Sequence, residues 1–262
     1  MDAPLTPDPA QGVFETLLVV GGEPVELGAH LDRLRSSLEA LFATAPPTGL
    51  GEEIRERAQG VRLGRLRVAV APDGTGTRAV LAVEDVDPGD FFPAWARGAH
   101  LRSHVYAGGL GRHKWADRTP LQRIATATAL PLLLDRGEEV LEASRANVFV
   151  AVGEALVTAA DDGRILPGIA RAGAIAAAAE AGIEVEERTL ALAELLAADE
   201  VFLTGSVRGV EPARSLDGTP LPGPGELSRR VAAGLRRRWP AAPAAAAAPA
   251  PAAAPSPGRP AR

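Results

Sequence analysis

The apolar residues of this chain fall in short runs of strand length, broken by glycine turns and interleaved with segments of helical period, so the chain must fold as a mixture of α and β structure. Residues 12–20, GVFETLLVV, and residues 24–27, joined by Gly21-Gly22, read as a β-hairpin. Leu31, Leu34, Leu38 and Leu41 then recur at helical spacing and predict a helix over 29–42. A more polar helix over 51–60 follows, and then two strands, LGRLRVAVAP and TRAVLAVEDV, around the turn Asp73-Gly74-Thr75-Gly76. These pieces make a small α+β unit. A strand near 99–106 runs into the glycine-rich AGGLGRHK. Beyond it the pattern predicts a helix over about 119–134 and short strands around EVLEA, NVFVAV and EALVTA. A small-residue helix then runs from the Pro-Gly break of LPGIARAG to near Gly182. IEVEERTL reads as a strand, ALAELLAA as a short helix, DEVFLTGS as a strand ending in a tight loop, and about 225–238 as a last helix. From Pro240 onward proline is too frequent for a helix and nothing bulky is left to bury, so residues 240–262 read as a disordered Pro/Ala tail.

Composition excludes several functions. The 262 residues carry a net charge of −5 with acids and bases interspersed, so no basic stripe is available for a nucleic-acid backbone. There is no cysteine, which removes disulfides, thiolate nucleophiles and Cys-based metal sites together. The four histidines, at 30, 100, 104 and 113, lack metal-ligand spacing, and no metal site is expected. The first ten residues lack the basic and apolar regions of a secretory leader, and no run of about 18 apolar residues occurs. A soluble, cytoplasmic protein that acts on a small molecule is the expectation, with neither nucleic acid nor membrane as partner. Walker, GxGxxG, GxSxG and HExxH motifs are missing.

Of the 28 basic side chains, 27 are arginine and one, Lys114, is lysine. Arginine can replace lysine wherever only positive charge is needed, but it cannot serve where an amine must lose its proton. Lys114 is therefore a candidate nucleophile, although a stray lysine in an arginine-biased chain is the ordinary alternative. Around it the sequence offers the remaining parts of a pyridoxal 5′-phosphate (PLP) site: an acid for the ring nitrogen, donors for the phosphate and a wall for the ring. Glu142 in VLEASRANVFV is the candidate acid, with strand alternation placing it on one face with Val140 and Ser144; an edge-strand carboxylate in water is the competing reading. The amides of Ile169 and Ala170, at the helix start after Leu166-Pro167-Gly168, form a ready anion site. Thr204-Gly205-Ser206 supplies hydroxyls and free amides after a strand, and Arg33 could add charge-assisted hydrogen bonds where a surface ion pair is the commoner fate.

Taken in order, GVFETL, HLDRL with Arg33, the lone Lys114, LEASRANVF, LPGIAR and DEVFLTGSVRGVEPARSLDG resemble the class IV aminotransferase family, the fold-type IV PLP enzymes, from about Gly12 to Asp217. The resemblance implies a smaller N-terminal α/β domain over 1–107, a larger PLP-binding domain with a barrel-like sheet over 108–239, a cofactor cleft between them and a homodimer. It implies that Lys114 is the Schiff-base lysine and that Glu142 sits against the pyridine nitrogen. Arg33, the amides of Ile169 and Ala170, and Ser206 would hold the phosphate. The family often has threonine where this chain has Ala170, and Asn147 looks structural, closing the turn into its strand. In HKWADRT, Arg118 and Thr119 stand where branched-chain and D-amino-acid transaminases commonly place Asn-Tyr or a similar aromatic. A basic residue there resembles 4-amino-4-deoxychorismate lyase, with Asp117 in place of the asparagine of that motif and a possible proton donor. The lyase reaction is thus the first expectation, a transaminase of branched-chain or D-amino acids the second, and a non-catalytic PLP-fold binding protein the third.

Overall fold

A computed structural model describes residues 6–240 of the chain. All but the first residue of the expected Pro/Ala tail lies outside them.

The first sheet forms where the hairpin and strand patterns predict it. Strand β1 (Val13–Val20) pairs antiparallel with β2 (Glu23–Pro24) on one side and β3 (Leu63–Asp73) on the other, and β3 pairs with β4 (Gly76–Asp85). Helices α1 (Leu27–Phe42) and α2 (Leu50–Ala58) cover one face. The alternation of a strand decides which residues meet them. Val13, Leu17 and Val19 of β1 and Leu66, Val68 and Val70 of β3 pack on Leu34 and Leu38 of α1 and Ile54 of α2. Phe14 and Thr16 point the other way, toward a cavity.

The second sheet closes on itself. Strands β5 (Ala99–Val105), β6 (Leu130–Asp135), β7 (Glu139–Ala143), β8 (Ala146–Val152), β12 (Glu200–Gly205) and β13 (Gly209–Leu216) form a ring, because β7 pairs with β8 as well as β6. Strands β9 (Ala155–Thr158) and β10 (Glu184–Glu187) extend it beyond β8, β11 (Leu190–Ala191) pairs with β7, and β14 (Thr219–Pro220) with β13. Leu101, Leu132, Val148, Leu203 and Ala213 fill the barrel with other small and branched residues. Outside, α4 (Ile169–Glu180) and α6 (Glu226–Arg238) pack on Phe149 and Phe202, while α3 (Thr119–Ile124) covers Leu133 and Leu141. The short α5 (Leu192–Ala197) adds Leu195 to the barrel core. No helix among the described residues is long and apolar enough to cross a membrane.

Two expectations are corrected. The helix over 119–134 stops at Ile124, and Leu130–Asp135 is a strand, inserted between β5 and β7 with ladders on both sides. Its apolar run is buried on both faces, where periodicity cannot separate helix from strand. IEVEERTL is two strands that lie at different places in the sheet. DEVFLTGS ends in a tight loop as expected, and that loop leads into a further strand, β13. The two sheets divide between Asp85 and Ala99, since β5 hydrogen-bonds to β6 and β13.

Candidate functional site

Three adjacent strands carry a polar row on the outside of the barrel. Glu142 on β7 faces Asn147 on β8, and Asn147 faces Thr204 on β12. All three side chains are buried, in positions where the neighbouring outward residues are apolar. The row exists because of a bulge. Leu133 pairs with Glu142 but Leu134 pairs with Val140, so one residue of β7 is unpaired and the alternation reverses across it. Val140 consequently enters the barrel core while Glu142 faces outward, correcting the expectation that the two share a face. The row borders a cavity of about 590 Å³ between the barrel and the uncovered face of the first sheet. That volume suits a small-molecule ligand. Arg33, Lys114, Glu142, Ile169, Ala170 and Ser206, far apart in sequence, all line this one cavity.

Lys114 reaches the site on a segment that crosses between the sheets. The loop before it is pinned at Gly109, whose φ of +66° suits glycine and where a Cβ would lie 2.0 Å from the Arg164 carbonyl. Gly111 donates its N–H to the same carbonyl. The segment then pairs with β1: Phe14 N–H donates to Lys114 O at 2.8 Å and Ala116 N–H to Gly12 O at 3.0 Å. Burial, with Arg33 nearby, pushes the Lys114 amine down to about 8, against the opposing pull of Glu15. Burial likewise pushes the Glu142 carboxyl up to about 8, against the Leu166 N–H, which lies 3.3 Å from each oxygen. Glu142 is therefore a buried acid with one weak donor and no cation in hydrogen-bond contact among the described residues, and the edge-strand reading is excluded.

One end of the cavity is an anion seat with a strongly ordered arginine. Glu15 lies on the helix-covered face of β1 and is buried beneath α1. Its carboxylate accepts from Arg33 Nε at 2.8 Å and Nη2 at 2.6 Å, and meets His30 Nδ1 at 2.7 Å. Burial acts to raise the Glu15 carboxyl, but these bonds outweigh it and hold it at about 2. Burial also lowers the His30 imidazole. Arg33 Nη1 donates to Pro167 O at 2.8 Å, tying α1 to the loop before α4. That loop is shaped by Asn147, whose Nδ2 donates to Leu166 O at 3.0 Å; a Cβ on Gly168 would lie 2.0 Å from Asn147 Oδ1. Asn147 thus orders the approach to α4 rather than closing its own turn. Helix α4 starts with no side-chain cap, so the amides of Ile169 and Ala170 have no intrahelical acceptor. Across the seat, Thr204 Oγ1 is buried without a hydrogen-bond partner.

The wall opposite is lined by cations. Arg67 of β3 stacks on Phe14, with Cζ 3.7 Å from the ring centroid; Lys114 Nζ is 4.9 Å and Arg118 Cζ 5.6 Å from the same centroid. Arg118 donates to Ser144 O at 2.5 Å, and neither it nor Arg67 pairs with a carboxylate among the described residues. Burial lowers both guanidiniums from their ordinary value. Asp117 is not placed to donate a proton. Its carboxylate accepts from Thr119 N–H, at the first residue of α3, and from Asp8 N–H, both at 2.9 Å, and these hydrogen bonds hold it below the usual carboxylate range. Sequence reasoning had passed over Glu15, Phe14 and Arg67. The signal for Glu15 was present: an acid on the apolar side of VFETLLVV, in line with Val13 and Leu17.

A closed barrel set against a small helix-covered sheet, with an amine, a buried acid and an anion seat at their junction, defines a class of fold. Residues 12–216 match the family described as amino-transferase class IV, and the chain belongs to that family, whose members depend on PLP. A D-alanine aminotransferase of Listeria monocytogenes serotype 1/2a (strain 10403S) is 40% identical over 229 residues, covering 79% of this chain and 78% of that protein. Similarity to branched-chain-amino-acid aminotransferase 1 of Arabidopsis thaliana is more local: 43% identity over 82 residues, 31% of this chain and only 21% of the relative's length. Among solved structures, the 4-amino-4-deoxychorismate lyase of Pseudomonas aeruginosa is 26% identical with a TM-score of 0.74, covering 87% of this chain and 91% of that one. A hypothetical aminotransferase of Mycobacterium tuberculosis in its PLP-bound form is 22% identical with a TM-score of 0.75, covering 91% and 93%.

Proposed function

We propose that the chain holds PLP on Lys114 and acts as a 4-amino-4-deoxychorismate lyase, releasing 4-aminobenzoate and pyruvate. Three features support the cofactor: a buried amine with a depressed pKa, a buried acid short of donors, and a seat combining free helix amides with the orphan Thr204 hydroxyl. Bound there, PLP supplies an electron sink for charge on the carbon bearing the substrate amine. Arg33, the Ile169 and Ala170 amides and Ser206 bind its phosphate, with Thr204 as a further hydroxyl. Glu142 holds a proton toward the ring nitrogen, and Phe14 with its cations forms the opposite wall. Lys114 Nζ, once released, takes the proton from the amine-bearing carbon, and its depressed pKa keeps a useful fraction neutral near physiological pH. With Asp117 committed to backbone amides, Lys114 is also the residue that returns a proton.

The observation that carries the lyase assignment is Arg118, a cation four residues beyond the lysine that lines the cavity with no acid partner among the described residues and suits an anionic substrate. The likeness to D-alanine aminotransferase favours a second reading, transamination of an amino acid with a 2-oxo acid. PLP-loaded protein given aminodeoxychorismate should form pyruvate and 4-aminobenzoate in equal amounts. No product there, together with release of oxo acid from alanine or glutamate, would replace the lyase by the transaminase.

A further inference from the structure

Building on this assignment, we infer that Arg145 is a second carboxylate-binding residue, held in the cavity by the buried Glu211, and that it selects substrates carrying two carboxylates. Arg145 is the second residue of the tight turn joining β7 to β8, directly after Ser144, and both line the cavity. Its anchor lies on β13. Glu211 is almost completely buried, and Arg145 Nη2 donates to its Oε1 at 3.0 Å and lies 3.0 Å from its Oε2.

Glu211 is shared with Arg208, whose Nε lies 2.9 Å from Oε1, but the two arginines differ in what they have left. Arg208 is also paired with Asp90 at 2.8 Å and donates to Arg97 O. Arg145 meets the protein through a single nitrogen, so its Nη1 and Nε hydrogens have no partner among the described residues. A side chain of that length held at one end, 39% exposed and bordering a ligand-sized cavity, is a preorganised donor. Its planar fork suits a carboxylate better than a diffuse negative charge.

Arg118 reaches the same turn through its bond to Ser144 O. The turn therefore carries two guanidiniums with unspent donors, attached to different elements. A substrate with one carboxylate can use only one of them fully. The aminodeoxychorismate molecule has a ring carboxylate and an enol-pyruvyl carboxylate, and the first product to leave, pyruvate, retains the second. Arg145 binds one carboxylate directly; Glu211 is a positioning residue that acts through it.

The test is calorimetric titration of PLP-loaded protein with isophthalate and with benzoate, which differ by one carboxylate. The intact protein should prefer isophthalate about tenfold, the scale of one charge-assisted bidentate contact. Arg145→Ala should erase that preference while changing benzoate affinity less than about twofold, and Arg145→Lys should restore part of it. Glu211→Gln should cause a similar loss, and the double variant Arg145→Ala/Glu211→Gln should lose no more than either alone, as expected when two residues act as one unit. An unchanged ratio in Arg145→Ala, or additive losses in the double variant, overturns the inference. Retained pyridoxyl labelling of Lys114 with an unchanged ratio rejects this subsite alone; lost labelling rejects the cofactor assignment beneath it.

Discussion

Arg33 and Arg118 line one cavity, yet the protein treats them in opposite ways. Arg33 is bidentate to a buried carboxylate, bonded to a carbonyl and almost closed to solvent, so its charge is matched and its orientation fixed before any ligand arrives. Arg118 has a carbonyl and the Phe14 ring but, among the described residues, no carboxylate. Burying a guanidinium without an acid carries a desolvation cost that folding has no reason to keep unless a ligand repays it. Arg33, matched and fixed, suits a seat for one invariant group; Arg118, with no carboxylate partner among the described residues, suits a ligand that varies.

The strongest way to break this comparison is to remove what lies between the two. Lys114→Ala should abolish borohydride-stable pyridoxyl labelling and lower turnover by about 10³-fold or more, with both arginines left in place. Labelling that survives would place the reactive amine elsewhere. Next in size, Arg33→Ala should weaken PLP binding by roughly 100-fold, measured by cofactor titration. It should also destabilise the protein, since Glu15 would keep its charge with only His30 beside it; Arg33→Ala combined with Glu15→Gln should recover stability without recovering PLP affinity. Arg118→Ala should raise the substrate KM about tenfold and leave PLP affinity within about twofold. Equal losses of PLP affinity in the two arginine variants would erase the distinction.

The smallest effect concerns Glu142 and the protein free of PLP. Its carboxyl stays protonated in the folded state up to about pH 8 but ionises near its ordinary value when unfolded. The unfolded chain therefore holds fewer protons across that window, and stability falls as pH rises from about 4.5 to about 8. Glu142→Gln should flatten that slope and raise the melting temperature at pH 7 by roughly 5 °C. Lys114 has the reverse sign, gaining stability from about 8 up to 10.5 as the folded state sheds its proton first. A wild-type profile that rises between pH 5 and 8 would contradict the burial assigned to Glu142.

Much of the site was legible in the chain because its chemistry restricts residue type. A single lysine among arginines, an acid in the VLEASRANVFV strand and a Pro-Gly break before a helix each narrow the choice without knowledge of the fold. What escaped were residues whose role depends on register. The β7 bulge turns Glu142 away from Val140, and no alternation rule foresees an extra residue. Leu130–Asp135 is apolar on both faces and gives no period to read. Arg67 and Arg145 look like any other arginines until a sheet and a turn bring them to one cavity.

The sequence by itself determined which amine could react, the strand and helix order of the first 85 residues, and where an anion could meet a helix start. Those follow from side-chain chemistry and from patterns that span a few residues. Only the tertiary structure decided that Glu142 is buried, that Arg33 is matched to Glu15 while Arg118 has no carboxylate among the described residues, and that Asp117 accepts from two backbone N–H groups. Charge and proton affinity depend on what surrounds a group, and here the surroundings come from segments up to 134 residues apart in the chain.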